Sequence, residues 1–374
     1  MDFGFSQEQE LLRRTAQDFL AKECPMTYVR QMMEDERGCS EDLWQKMAEM
    51  GWLGLIYPEE YGGSGLGLVD LAVVLEEMGR VVMPGPFFST VALGGVTLLE
   101  AGSTEQKRRL LPDLVSGKAK VTLALLEPAA RWDAEGITLR AERDGGGYRL
   151  SGTKLFVPDA HVSDLLVVEA RTEEGVSLFL VERQQSGVNL TLLRTMDQTR
   201  KLCEVTLDNV RLGAEAVMGT PGKGWDALAR VIDRGKVALC AEICGGAQKV
   251  LDMSVEYAKV REQFGRPIGS FQAIQHKCAN MLLQVESAKS ATYYAAWAVA
   301  NDIPEAPLAA AMAKAYCSDV YRQVAGEGIQ VHGGIGFTWE HDLHLYFKRA
   351  KFSEVMFGDA TWNRELVAQY TLDR

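Results

Sequence analysis

The sequence predicts an α+β fold in three consecutive parts: a helical region over residues 1–119, a compact antiparallel β domain over 120–222 and a helical bundle over 223–374. Three observations carry this. Apolar residues recur at intervals of three and four along the first and last parts, the period of one helix face. Between them, about a hundred residues read as short, β-branched, partly alternating runs separated by turn residues. The texture changes sharply at Lys120 and again after VMGTPGKGW (217–225).

Taken in order, LLRRTAQDFLAKEC (11–24), EDLWQKMAEMGW (41–52), GLVDLAVVLEEMGRVV (67–82) and QKRRLLPDLVSG (106–117) are amphipathic helices. YPEEYGGSGLG (57–67) and MPGPFF (83–88) break them with Gly and Pro. The runs VTLALL, GITLRAERDGGGYRLSGTKLFV, DLLVVEAR, VSLFLVER, VNLTLLR and CEVTLDNVRL follow as strands, with DGGG as a hairpin loop. The helical period then returns and holds to the end, in segments long enough for a bundle.

Composition excludes several classes. A chain of 374 residues has room for two or three domains, at about 100–200 residues each. Its seven cysteines (24, 39, 203, 240, 244, 278 and 317) are never spaced as CxxC, which argues against a disulfide framework or zinc knuckle and fits reduced, cytoplasmic thiols. The net charge of −11, without a basic cluster, argues against nucleic acid as partner. The start at Met1 is already amphipathic and no long apolar run follows, so neither an export leader nor a membrane partner is expected. No phosphate-loop or dinucleotide fingerprint is present: GGSGLG follows no strand, GTPGKG lacks the spacing, and HGGIGF sits between helices.

The most specific stretch is VREQFGRPIGSFQAIQHKCANM (260–281). A helix ending within Arg261–Phe264 meets a Gly-Arg-Pro turn and restarts near Ser270, which clusters Arg261, Phe264 and Gln272 around one loop. A guanidinium, an aromatic ring and an amide suit a pyrophosphate carrying a flat ring, by bidentate bonding and stacking. The competing reading is a helix hairpin with ordinary surface polar groups.

With PEEYGGSGLG (58–67) followed by LAVVLEEMGR (71–80), LALLEP (123–128), GTKLFV (152–157), REQFGRPIGSFQ (261–272) and QVHGGIGF (330–337), the chain resembles the acyl-CoA dehydrogenase family along its whole length. The resemblance implies a central β-barrel and a C-terminal four-helix bundle. It also implies bound FAD and oxidation of an acyl-CoA thioester to the trans-2-enoyl product: a base takes the α-proton, flavin N5 takes the β-hydride, and electrons pass to an electron-transfer flavoprotein. By the same resemblance Arg261, Phe264 and Gln272 contact the FAD pyrophosphate and adenosine, and Gln330, Gly333 and Gly334 meet the FAD of a neighbouring subunit. His332 stands equally as an interface histidine, and His341 and His344 as surface or interface groups.

The chain departs from the family pattern at informative places. Leu126 and Pro158 stand where hydroxyl residues commonly face the flavin, leaving backbone contacts there, and Phe156 can cover the ring. AARWDAEG (129–136) replaces a Gly-Ser segment expected near the thioester. In FSEVMFGDATWNRE (352–365), the position of the family's catalytic glutamate is Phe357, which cannot accept a proton. Asp359, two residues on, is a helix cap or flavin-side contact first and a proton acceptor second.

The required base is better met on the helix KVALCAEICGGAQK (236–249), where Glu242 is the only charged residue between the two lysines. A carboxylate in such a run needs a partner or a shifted pKa. It is read as the base, against a buried ion pair or a cap at a kink near Gly245 and Gly246. Asp233 and Lys236, at the opening of that helix, stand where relatives contact the CoA chain, with an N-cap as the other reading of Asp233.

A bacterial branch acting on bulky thioesters, such as steroid side chains, shares the texture GGIGFTWEHDLHLYFKRA (333–350) and often forms tetramers of two different subunits. Homo-oligomer and heterotetramer both stay open. The alternatives to a dehydrogenase are a non-catalytic subunit completing a partner's flavin site, or an oxidase using O₂.

Overall fold

The computed structural model describes residues 4–372, so the expectation of no export leader, which begins at Met1, lies partly outside the described residues. Six helices come first: α1 (Gln7–Glu23), α2 (Met26–Glu34), α3 (Glu41–Glu49), α4 (Leu68–Arg80), α5 (Gly95–Ala101) and α6 (Thr104–Val115). Eight strands follow: β1 (Val121–Ala124), β2 (Arg140–Asp144), β3 (Gly147–Pro158), β4 (Leu165–Thr172), β5 (Gly175–Glu182), β6 (Val188–Leu193), β7 (Leu202–Leu212) and β8 (Val217–Met218). The last part holds α7 (Gly224–Val260), a hairpin of β9 (Glu262–Gln263) and β10 (Arg266–Pro267), then α8 (Gln272–Ala300), α9 (Ala306–His332), α10 (Leu343–Val355) and α11 (Ala360–Leu372). The mixed fold with helical terminal regions is the one the periodicities indicate.

Local chemistry fixes the helix starts. Ser6 and Gln9 form a reciprocal capping box at α1, and Ser103 and Gln106 another at α6. Each box satisfies two amides that the first turn leaves without partners. Ser40 caps α3 by accepting from the Leu43 amide at 3.2 Å.

The chain divides into two compact units. One comprises the residues up to Gln31, Leu68–Met83 and those from Lys236 onward; the other comprises Met32–Gly67 and Pro84–Gly235. In the first, α4 is buried on nearly every side, which explains its apolar sequence, and it packs against α1 and α8. Around α9 stand α8, α10 and α11. No helix of the described residues is long and apolar enough to cross a membrane.

The second unit corrects the closed, all-antiparallel barrel. Its sheet runs β6-β7-β3-β2-β4-β5-β8, and among the described residues no pairing joins β6 to β8. Pairing along the path is antiparallel except where β2 meets β4 at Arg140 and Arg171, in parallel. β1 also lies parallel to β4, from Val121 opposite Leu165 to Ala124 opposite Val168. β1 and β2 thus share successive parts of one β4 edge. β8 has only two residues, too few to present an edge for β6. Tyr148, Leu150, Val168, Phe179 and Val205 belong to the apolar core of this sheet.

Candidate active site

Glu242 sits where the backbones of α4 and α7 come together. A Cβ placed on Gly79 would lie 2.0 Å from the Glu242 carbonyl oxygen, and one on Gly245 would lie 1.7 Å from that of Glu76. Glycine at both positions lets the two backbones touch. Gly246 leaves room for the Tyr321 hydroxyl. These glycines therefore serve packing within α7, which runs without interruption from Gly224 to Val260. The Glu242 side chain is buried, at 6 % exposure.

The same crossing carries a polar layer. Arg13 donates to Glu76 at 3.3 Å, where the Tyr293 hydroxyl also donates, and Gln17 donates to Glu77 at 3.1 Å. Arg80 joins α4 to α7 through Asp252 at 2.7 Å. Burial pushes the Glu77 carboxyl above its usual range, against the opposing pull of Arg80 and Arg13. Burial beside Glu76 likewise raises the Tyr293 phenol, so it stays protonated and able to donate.

Asp233 and Lys236 do not open α7, as the sequence suggested, because the helix already begins at Gly224, directly after the Pro221-Gly222 turn. Asp233 is therefore no N-cap. Lys236 is buried.

The turn after α10 explains what replaced the family's glutamate. Phe357 is buried and holds a left-handed φ of 59°, followed by Gly358 at 84°. Such a φ is unfavourable for a residue with a Cβ, and surrounding bonds sustain it. Asn363 donates to the carbonyls of Phe357 and Gly358, at 3.2 and 3.0 Å. The fully buried Lys314 donates to Gly358 O at 2.9 Å, Glu354 O at 3.2 Å and Ser318 Oγ at 2.7 Å. Burial lowers the Lys314 pKa to about 8, with nearby Lys236 adding to the shift. Asp359 accepts the Trp362 amide at 2.8 Å and so caps α11. The sequence reading missed Lys314; its place in the apolar run LAAAMAKAYC was the available signal.

Arg261, Phe264 and Gln272 lie along the segment that carries the β9–β10 hairpin, at or between the ends of α7 and α8. α7 ends at Val260 and α8 begins at Gln272, with a 3₁₀ turn over Ile268–Ser270 between. Phe264 is 93 % exposed at a φ of 53°, and its ring meets Phe271 edge-on at 6.1 Å. Arg261 and Gln272 are exposed as well. At the end of α9, Gly333 has a φ of 63°, and among the described residues nothing beyond their chain neighbours lies within 4 Å of a Cβ on Gly333 or Gly334. An outward-facing guanidinium, a bare aromatic ring, amide side chains and two open glycines are a donor set that fits FAD.

His332 is a packed histidine: its Nδ1 donates to Gly328 O at 2.8 Å, and its ring stacks on Tyr257 at 4.4 Å and meets His341 at 4.7 Å. Burial lowers its pKa. His344 is buried against Trp339, correcting its reading as a surface or interface group. Among the described residues no His, Cys, Asp and Glu cluster has a metal-site arrangement.

In the other unit, Leu126 and Phe156 are tied together, since the Leu155 amide donates to Leu126 O at 2.7 Å. Phe156 is half exposed at a φ of 53°, an uncommon state for an aromatic residue. Pro158 is buried, and its carbonyl accepts from Thr122 Oγ1 at 2.7 Å.

Three family profiles together span most of the chain: the acyl-CoA dehydrogenase N-terminal domain matches residues 6–118, the middle domain 122–210 and the C-terminal domain 222–372. The chain belongs to the acyl-CoA dehydrogenase family. It is accordingly an FAD-dependent oxidoreductase acting on the CH–CH bond of acyl-CoA thioesters, and the non-catalytic reading falls away. Similar proteins include the probable acyl-CoA dehydrogenase YngJ of Bacillus subtilis strain 168, 31 % identical with both chains fully covered. Among solved structures, the ChsE4-ChsE5 complex of Mycobacterium tuberculosis matches with a TM-score of 0.92 at 29 % identity and full coverage of both chains. The Tcur3481-Tcur3483 steroid ACAD matches with a TM-score of 0.89 at 32 % identity, covering 98 % of each chain.

Proposed function

We propose that this acyl-CoA dehydrogenase uses Glu242 as the base that removes the α-proton of the thioester. The single observation behind this is the buried Glu242 carboxylate at the glycine-lined crossing of α4 and α7, while the family's usual position is taken by Phe357, also buried. Burial keeps bulk water from competing for the carboxylate, which favours a proton acceptor over a solvated surface group. Asp359 is engaged as a helix cap, which supports Glu242 over it.

Arg261, Phe264 and Gln272 bind the FAD pyrophosphate and adenosine, and Gln330, Gly333 and Gly334 meet the FAD of a neighbouring subunit. Leu126, Phe156 and Pro158 line the flavin ring, the first and last through their backbones. FAD bound there supplies the acceptor for the β-hydride. Asp233 and Lys236 contact the CoA chain. Similarity to the Tcur3481-Tcur3483 steroid ACAD supports a bulky acyl group, and similarity to the ChsE4-ChsE5 complex supports assembly with a related second subunit. An electron-transfer flavoprotein takes the electrons onward, as the family resemblance implies, and the enzyme works in the cytoplasm.

Anaerobic titration with a panel of acyl-CoA thioesters tests the assignment, because productive substrates bleach the flavin band near ~450 nm. Glu242→Gln is expected to abolish bleaching while FAD stays bound. Retained bleaching in that variant refutes Glu242 as the base.

A further inference from the structure

Glu127, Lys154 and Glu169 form a buried cluster that the reaction itself does not use. Lys154 and Glu169 are fully buried and Glu127 is 3 % exposed. Lys154 Nζ donates to Glu127 Oε1 at 2.8 Å and to Glu169 Oε1. Glu127 also accepts from the Thr138 amide and hydroxyl, and from the Leu139 amide at 3.1 Å. It thereby ties the segment after β1 to both the start of β2 and the middle of β3. Glu127 directly follows Leu126, and Lys154 lies two residues before Phe156. Glu169 is different. Its Oε2 is buried without a hydrogen-bond partner, and its neighbour across the sheet on β5 is the buried Leu178.

We propose that Glu169 is a positioning residue which, through Lys154, holds Glu127 and so fixes the two segments that present Leu126 and Phe156 to the flavin. Two carboxylates sharing one ammonium in a water-free site carry a net negative charge if both ionise. The group with fewer bonds gives way, so Glu169 keeps its proton while Glu127 stays ionised. Burial is the main cause raising the Glu169 pKa to about 8, with Glu127 adding and Lys154 opposing. For Glu127, the Lys154 charge and the bonds from Lys154, Thr138 and Leu139 outweigh burial and lower its pKa. When Glu169 ionises it competes with Glu127 for Lys154 and loosens the tie.

The sign of the linkage follows. Glu169 has its folded pKa raised, so the stability it contributes is complete below the ordinary carboxylate range and is lost as pH rises through about 8. Glu127 acts oppositely and only at acid pH, so the two windows separate.

The flavin part of the proposal rests on the reading that Leu126 and Phe156 face the ring, and the test separates the two. Thermal unfolding of the holoenzyme is followed between about pH 5 and about pH 9 for wild type and Glu169→Gln, which mimics the protonated acid. The wild-type midpoint is expected to fall by several degrees across that range relative to the variant. Parallel profiles overturn the proposal. In the same samples the wild-type Kd for FAD is expected to rise at least about threefold from about pH 7 to about pH 9, with a smaller rise in Glu169→Gln. A midpoint difference without an FAD difference retains the proton but overturns the positioning role alone, whereas a Phe156→Ala protein with wild-type Kd for FAD overturns the flavin-facing reading of these segments. If the variant does not accumulate, infrared spectra of the wild type decide: a protonated-carboxyl band that disappears as pH rises through about 8 supports the proposal, and its absence overturns it.

Discussion

Replacing Gly79 by alanine tests how strictly the helix crossing governs the catalytic carboxylate. The added Cβ falls 2.0 Å from Glu242 O, whereas ordinary contact begins at 3.4 Å, so α4 and α7 must part by up to 1.4 Å. The obstacle is backbone and cannot swing aside. Overpacking of this kind costs about 1–3 kcal/mol, and the gain in helix propensity on going from glycine to alanine returns about 1 kcal/mol. A net loss of up to about 2 kcal/mol in unfolding free energy is expected. The effect on chemistry is larger, because a shift of about 1 Å in a reacting group costs roughly a hundredfold in rate. Denaturant unfolding reads the first quantity, and anaerobic stopped-flow bleaching of the flavin reads the second. Gly146→Ala is the control: among the described residues nothing beyond its chain neighbours lies within 4 Å of its Cβ, and a change within about 0.5 kcal/mol is expected. A Gly79→Ala protein more stable than wild type, by the propensity gain alone, refutes the packing argument. Normal bleaching in a destabilised Gly79→Ala protein refutes the placement of the base on this segment of α7.

Two further substitutions probe the turn around Phe357. Asp359→Ala removes the cap of α11 and is expected to cost about 1 kcal/mol while leaving bleaching intact; loss of bleaching with FAD bound would move the base to Asp359. Lys314→Met leaves Glu354 O and Ser318 Oγ without their buried donor and is expected to cost about 1–3 kcal/mol in thermal or denaturant unfolding. Unchanged stability would mean that the turn closes without the lysine.

The order of helical and β segments was legible because it depends on local period and turn chemistry. Asp359 announced itself as a cap by type and place, whereas the capping serines Ser6, Ser40 and Ser103 went unread. Barrel closure was not legible: whether β6 meets β8 depends on edge pairing between distant segments, and β1 and β2 divide one edge of β4. Asp233 was misplaced because GTPGKG reads as a turn wherever the helix behind it begins, and the helix begins at once, at Gly224.

The sequence by itself determined the family, through five motifs in a fixed order, and the loss of a proton acceptor at Phe357. It also singled out Glu242, since one carboxylate in an apolar helical run is visible without coordinates. Only the tertiary structure decided what surrounds these groups. Gly79 and Gly245 reveal their purpose when two helices distant in sequence come to backbone contact, and Lys314, Lys154 and Glu169 become one ammonium among carbonyls and another among carboxylates. Burial and pairing of charge are properties of a packed interior, and a linear chain does not state which of its charges will share one.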